Sequence, residues 1–252
     1  MSNSGPHAPF TYDHYRHILR SAQESGYEFI GFPELKDYRR SERRLCLLRH
    51  DCDHDMPAAV KLALIEQEMG VRSTYFLMLR CDLYNLMSPL NAKLAREIIK
   101  LGHSIGLHFD EWLYPDATPN QIRDEVDRER EWLTREFDVP IEVISFHQPS
   151  ERVLRNEVKL NCINAYDQDF MKGVFYLSDS SMNLREGCPG EVFKARKHQR
   201  VQLLLHPELW TEEEMTLEDK WRGMLRNNLE LMQQGTLARE GTYLTRQKIT
   251  FG

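Results

Sequence analysis

Asp51 and Asp53 stand two residues apart at the end of an apolar run. In an extended strand that spacing puts both carboxylates on one face, about 6–7 Å apart at the Cα atoms. Two acids so close can divide labour: one holds a cation while the other keeps a lone pair for a proton. His108 and His147 offer neutral imidazole nitrogens, and a set of Asp plus His suits Zn²⁺ or another divalent first-row ion. Asp179 and His206 complete the set of acids and imidazoles, the first two residues past Leu177 and the second directly after Leu205. Other readings compete with this one. An aspartate after a strand can simply cap the next helix, but Asp55 is better placed for that than Asp51 or Asp53. His206, between Leu203-Leu204-Leu205 and Pro207, also fits a packed core histidine.

These residues share a phase in the elements that must carry them. Leu45 to Leu48 reads as a buried strand that ends in the polar string 49–53, and further strands are expected over 74–79, 104–108 and 141–146. Shorter ones are expected over 162–166, 174–177 and 201–205. Helices intervene. One is expected between Thr11 and Gly26. Another starts at Asp55-Met56-Pro57 and closes at Gly70; Ser88-Pro89 opens a third, ending at Gly102. Thr118-Pro119 opens a long charged helix to about Phe137, and a shorter one starts near Ser150. A final helix after Thr216 carries Leu217, Trp221, Met224, Leu225 and Met232 on one face. Strands alternating with helices imply a parallel sheet, and about seven strands suit an incomplete barrel. The acids and histidines follow the strands, on the C-terminal rim where parallel α/β folds build their sites. His50 alternates with the acid pair and faces away from it, able to orient the site from behind, while His54 is a reserve ligand. His103 supports a strand entrance, and His7, His14, His17 and His198 fall in surface segments.

The bulk properties narrow the class. The 252 residues form one expected α/β domain over 1–252; 33 Lys and Arg against 39 Asp and Glu leave a net charge of −6. The short basic patch Arg39-Arg40 and Arg43-Arg44 is broken by Ser41 and Glu42, so no nucleic acid partner is expected. No apolar run approaches the roughly 20 residues of a membrane span, and residues 1–10 lack a basic and apolar leader pattern. Five cysteines without a C-x-x-C pair read as reduced thiols, so a cytoplasmic location is expected.

The motifs, taken in order, resemble the polysaccharide deacetylase family (carbohydrate esterase family 4), in its intracellular branch with an H-D-x-D first motif. The match runs from His50-Asp51-Cys52-Asp53 through Gly70-Val71-Arg72-Ser73-Thr74-Tyr75-Phe76 to Gly102-His103-Ser104-Ile105-Gly106-Leu107-His108. It continues with Ser145-Phe146-His147-Gln148-Pro149-Ser150, Tyr176-Leu177-Ser178-Asp179-Ser180 and Leu204-Leu205-His206-Pro207. Members near lipopolysaccharide O-antigen assembly look closest.

This resemblance implies a distorted (β/α) barrel of about seven parallel strands and a divalent metal, commonly zinc. It also implies hydrolysis of an N-acetyl, sometimes O-acetyl, group on a sugar, a nucleotide sugar or a glycan. By position, Asp51 resembles the catalytic base, Asp53 a metal ligand, His108 the first ligand histidine and His206 the general acid. Asp179 matches the acid that steadies the site from behind, and His147 stands where many members have an arginine that tunes the base. The chain departs from the pattern at Trp112, four residues past His108, where a second ligand histidine is usual. His147 is the expected third ligand, with Asp110 the alternative. Trp112, Tyr114 and Trp210 follow rim motifs and offer rings for a sugar face, or plain packing. The rival functions are a glycan-binding relative that lost the chemistry and a metal-dependent amidase on another substrate. The sugar and the oligomeric state are not legible in the sequence.

Overall fold

A computed structural model describes residues 9–38 and 41–248; His7 and the Arg39-Arg40 part of the basic patch lie outside them. The chain opens with α1 (Tyr12–Glu24), whose first turn is capped by the Thr11 hydroxyl accepting from His14 N. Three short residues, Tyr27–Phe29, form β1, a strand the sequence did not announce. Then β2 (Arg44–Cys52), α2 (Met56–Glu68), β3 (Thr74–Leu77), α3 (Pro89–Lys100) and β4 (Ser104–Asp110) alternate as expected. Asp55 caps α2 through Ala58 N, and Gly70 ends it at φ +68°, a backbone angle that other residues adopt at a cost. The long α4 (Pro119–Phe137) starts on a full capping box, Thr118 with Gln121.

The second half holds β5 (Val143–His147), α5 (Glu151–Leu154), β6 (Ile163–Asn164), β7 (Phe175–Ser178), α6 (Pro189–Ala195), β8 (Arg200–Leu205) and α7 (Leu217–Arg246). All strand pairings are parallel, in the order β6-β5-β4-β3-β2-β8-β7. Strand β1 pairs with residues 44–46 of β2, below the stretch 49–52 that β3 takes on the same side. No pairing joins β6 to β7 among the described residues, so the barrel is incomplete, as expected.

Side chains of β2 divide strictly between two environments. Leu45 and Leu47 point to the barrel interior, where they build an apolar floor with Phe76, Val143, Phe32 and Ala165. Cys46 and Leu48 point outward, into a core with α1, β8 and Phe193 of α6. Arg49, Asp51 and Asp53 continue the interior set upward from the floor. Gly106 on β4 keeps that interior open: a Cβ there would stand 2.8 Å from the Phe76 ring and 2.9 Å from the Val143 carbonyl.

The last helix forms as expected, with its apolar residues mostly exposed. The apolar face of α7 does not enter the core: Trp221, Leu225 and Met232 are 41%, 49% and 64% exposed, and of the five residues only Met224 is buried. Polar groups dock the helix instead. Asn227 donates to Asp55 Oδ2 (3.0 Å) and Asn228 to the His54 carbonyl (2.7 Å). The buried Lys220 ammonium donates to the carbonyls of Leu209 and Phe10 and to the Thr211 hydroxyl. No helix is long and apolar enough to cross a membrane among the described residues.

Candidate active site

The rim above β2, β4, β5, β7 and β8 gathers Asp51, Asp53, His108, His147, Asp179 and His206, all delivered by strand ends or the residue that follows. Asp53 is the hub. Its Oδ1 lies 2.9 Å from His108 Nε2, and its Oδ2 lies 3.9 Å from His147 Nε2 and 3.8 Å from His206 Nε2. His108 Nε2 is also 3.5 Å from Asp51 Oδ2. Register explains the gathering, because His108 sits beside Ser145 and Asp110 beside His147 in the β4–β5 ladder.

Asp51 is clamped from below by a residue the sequence reading passed over. Arg49, fully buried and in phase on the same strand, donates Nε to Oδ1 (2.8 Å) and Nη2 to Oδ2 (2.6 Å). Such a two-point fork is the strong form of a guanidinium–carboxylate pair. The guanidinium lies over the rings of Phe76 (5.2 Å) and Tyr166 (4.8 Å) and donates to the hydroxyls of Ser145 and Tyr166. Burial works to raise the Asp51 carboxyl, but Arg49 and then His108 hold it below the usual carboxylate range.

Charge is distributed unevenly around the hub. Burial would raise Asp53, yet His108, with His206 and His147, holds it far below an ordinary carboxylate. Burial disfavours a protonated His206, but Asp179 overrides it and lifts the imidazole well above its ordinary value. Asp179, at 0% exposure, accepts His206 Nδ1–H (2.6 Å), both its oxygens face the His206 backbone N–H, and Oδ2 accepts Trp210 Nε1–H (2.9 Å). That arrangement fixes the ring so that Nε2 faces Asp53.

The aromatic expectations divide. Trp210 is 1% exposed and packs on Phe10 and Tyr15, so it is a core residue that orients Asp179 and offers no face to a sugar. Tyr114 stacks on Phe109 as packing. Trp112, 69% exposed on a 3₁₀ turn (Glu111–Leu113), leaves its ring free. Behind the sheet, His50 faces away from the acids as expected and lies 2.6 Å from Glu66 Oε1. Tyr15, Tyr75 and Ser73 donate to the same buried carboxylate, and His103 Nδ1 is 3.4 Å from it.

The donor chemistry fits a divalent cation at Asp53. Asp53 Oδ1, though 2.9 Å from His108 Nε2, makes no hydrogen bond of normal geometry, and Glu208 Oε2 is buried without a hydrogen-bond partner, which a pocket built only for internal pairing would not leave. A second grouping shares Asp53: ligand atoms of Asp53, His54 and Glu208 lie within 4.8 Å of one another, with His54 Nδ1 2.7 Å from Glu208 Oε1. His54 was a reserve ligand in the sequence; Glu208 was not anticipated. Its signal was its place two residues after His206, on the 3₁₀ turn Pro207–Leu209.

No family model and no curated protein matches the chain. Several solved structures do resemble it. One is a pseudoenzyme of the CE4 family from Bacillus anthracis (13% identity, 75% of this chain and 61% of that chain, TM-score 0.44). Another is a family 4 carbohydrate esterase from Bacillus anthracis (15% identity, 86% of each chain, TM-score 0.42). A third is a family 4 acetyl xylan esterase from Clostridium thermocellum with a cobalt ion (16% identity, 65% of this chain and 74% of that chain, TM-score 0.44). The chain spans 61–63% of the length of the pseudoenzyme structures.

Proposed function

We propose that the chain is a metal-dependent hydrolase that removes an acetyl group, foremost an N-acetyl group, from a sugar. The observation that carries this reading is the pair of oppositely tuned groups flanking Asp53: a carboxylate held ionised by Arg49 on one side, and an imidazole held protonated by Asp179 on the other. Hydrolysis of an amide needs that pair. Asp51 takes the proton of the attacking water, and Arg49 keeps it anionic and aimed until then. His206 gives its Nε2 proton to the departing amine, a poor leaving group as an anion. Asp179 holds the opposite nitrogen and so keeps Nε2 turned to the reacting atoms.

Asp53, His108 and His147 would hold the cation. A divalent ion there, zinc being the common choice for such ligands, would lower the pKa of its water and polarise the acyl carbonyl. The close approach of Asp53, His54 and Glu208 favours a second ligand set that excludes His147. Trp112 is a place for the sugar face to stack. The order of motifs supports a role in surface polysaccharide or O-antigen assembly, on a cytoplasmic precursor.

A glycan-binding role without chemistry is favoured by one observation, the exposed Trp112 in the position of a ligand histidine. Metal analysis joined to acetate release separates these readings. About one divalent ion per chain and acetate from N-acetylated sugars are expected, both lost in Asp53→Asn. Loss of the ion in His147→Ala but not in His54→Ala supports the first ligand set, and the reverse supports the second. A metal-free native protein that still releases acetate overturns the reading.

A further inference from the structure

All five cysteines are free thiols, and among the described residues only Cys188 has an imidazole within hydrogen-bond reach of its sulfur. Cys188 is half-buried at the entry to α6, and its Sγ lies 3.2 Å from Nε2 of His14, on the first turn of α1. The other nitrogen of that ring meets the Pro9 carbonyl. A carbonyl only accepts, so Nδ1 carries the hydrogen and Nε2 is left to take the thiol proton. Nucleophile, base and a group that orients the base thus stand in a row, the arrangement that activates a side-chain nucleophile.

Close packing of α6 on α1 makes the pair. A Cβ on Gly190 would stand 3.4 Å from Ser21 Oγ and 3.6 Å from His17 Cδ2. On the other side, residues 185–187, which lead to Cys188, are exposed. Of the nearby charges, Lys194 pairs with Glu191 (2.9 Å) and reaches His17 Nε2 (3.2 Å), while Glu214 acts on His14 from the segment before α7. Burial of the sulfur disfavours its thiolate, but the His14 hydrogen bond outweighs this and holds the thiol below its ordinary value. The other four thiols go the opposite way, each raised by burial, Cys162 to about 11.

We propose that Cys188 is a modification site that captures a low-molecular-weight disulfide as a mixed disulfide, with His14 as its base. In the exchange the Cys188 proton passes to His14 Nε2, and the thiolate attacks one sulfur of the small disulfide. A new S–S bond forms as the old one breaks, and the departing thiolate takes the proton from His14. Cys188 is oxidised, and half of the small disulfide leaves reduced, as a thiol. None of the rim residues takes part, so the site is independent of the deacetylase reading.

For the test, the reduced full-length chain, freed of reductant, is exposed to glutathione disulfide, and adducts are located by peptide mass mapping. One adduct per chain is expected, on Cys188, formed at least about tenfold faster than on Cys162 at pH 7. Against pH, the rate at Cys188 should rise with a midpoint below the value of about 8.5 of an ordinary thiol, and His14→Gln should move the midpoint up to it. A packing role for His14 would not move that midpoint. A first adduct on another cysteine, or uptake at Cys188 no faster than at Cys162, overturns the proposal. So does a midpoint that His14→Gln leaves in place. The mapping uses the wild-type chain, so the result is read even where the His14 variant does not fold.

Discussion

Removal of the Arg49 guanidinium tests the central electrostatic claim. In Arg49→Met the Asp51 carboxylate, its side chain 3% exposed, loses a two-point partner at 2.8 and 2.6 Å. His108, 3.5 Å away and already paired with Asp53, is the remaining basic side chain beside it. Breaking one partner of a buried pair costs about 3–5 kcal/mol. For a chain of this size each kcal/mol moves the melting point by about 2–4 °C, so the midpoint should fall by about 6–20 °C. Adding Asp51→Asn removes the stranded charge and should restore at least about 2 kcal/mol, because a neutral amide among neutral neighbours costs less than an unpaired ion. Urea unfolding at pH 7 with a chelator present isolates these terms from metal binding. A single variant within about 1 kcal/mol of wild type, or a double variant no more stable than the single, would refute the assignment of Arg49 as the partner of Asp51.

Asp179→Asn should cut acetate release about 10²–10⁴-fold with little change in substrate affinity, since it disturbs the proton donor and not the sugar contacts; single-turnover rates and calorimetry together check this. Glu129, buried on α4 beside Arg80 and Tyr114, is pushed up to about 7 by burial, which Arg80 only partly offsets. The folded chain therefore binds more protons than the unfolded one between about pH 4.5 and 7, and stability falls as pH rises through that window. Glu129→Gln should flatten this fall, worth on the order of 3 kcal/mol, in urea melts at pH 5 and pH 8.

Much of this was readable from periodicity and punctuation. The run Leu45–Leu48, the cap at Asp55 with Pro57, and the Thr118-Pro119 start each located an element to within a residue or two. The placement of acids and histidines just past strand ends was enough to foresee one rim. Period-two alternation assigned His50 and Asp51 to opposite faces, and the same rule contained Arg49, in phase with Asp51 and Asp53. It was overlooked because an arginine in a strand reads as surface, and only the closed interior turns it into a buried partner. Trp210 misled for the converse reason: its distance from a rim motif says nothing of which way the ring turns, and the Asp179 carboxylate draws the indole inward. The α7 stripe was correctly apolar, but amphipathicity states that a face wants cover without stating what covers it.

Strand β2 is anchored on both of its surfaces, by the Arg49 fork and Asp53 hub inside and by the His50–Glu66 cluster outside. Neither anchor can shift without dislodging the other, since successive residues of a single extended segment serve them in turn. The positions of the rim side chains on this strand are thereby fixed from both faces at once. The exposed segment past β4, around Trp112, belongs to neither anchor and is where substitutions leave both in place.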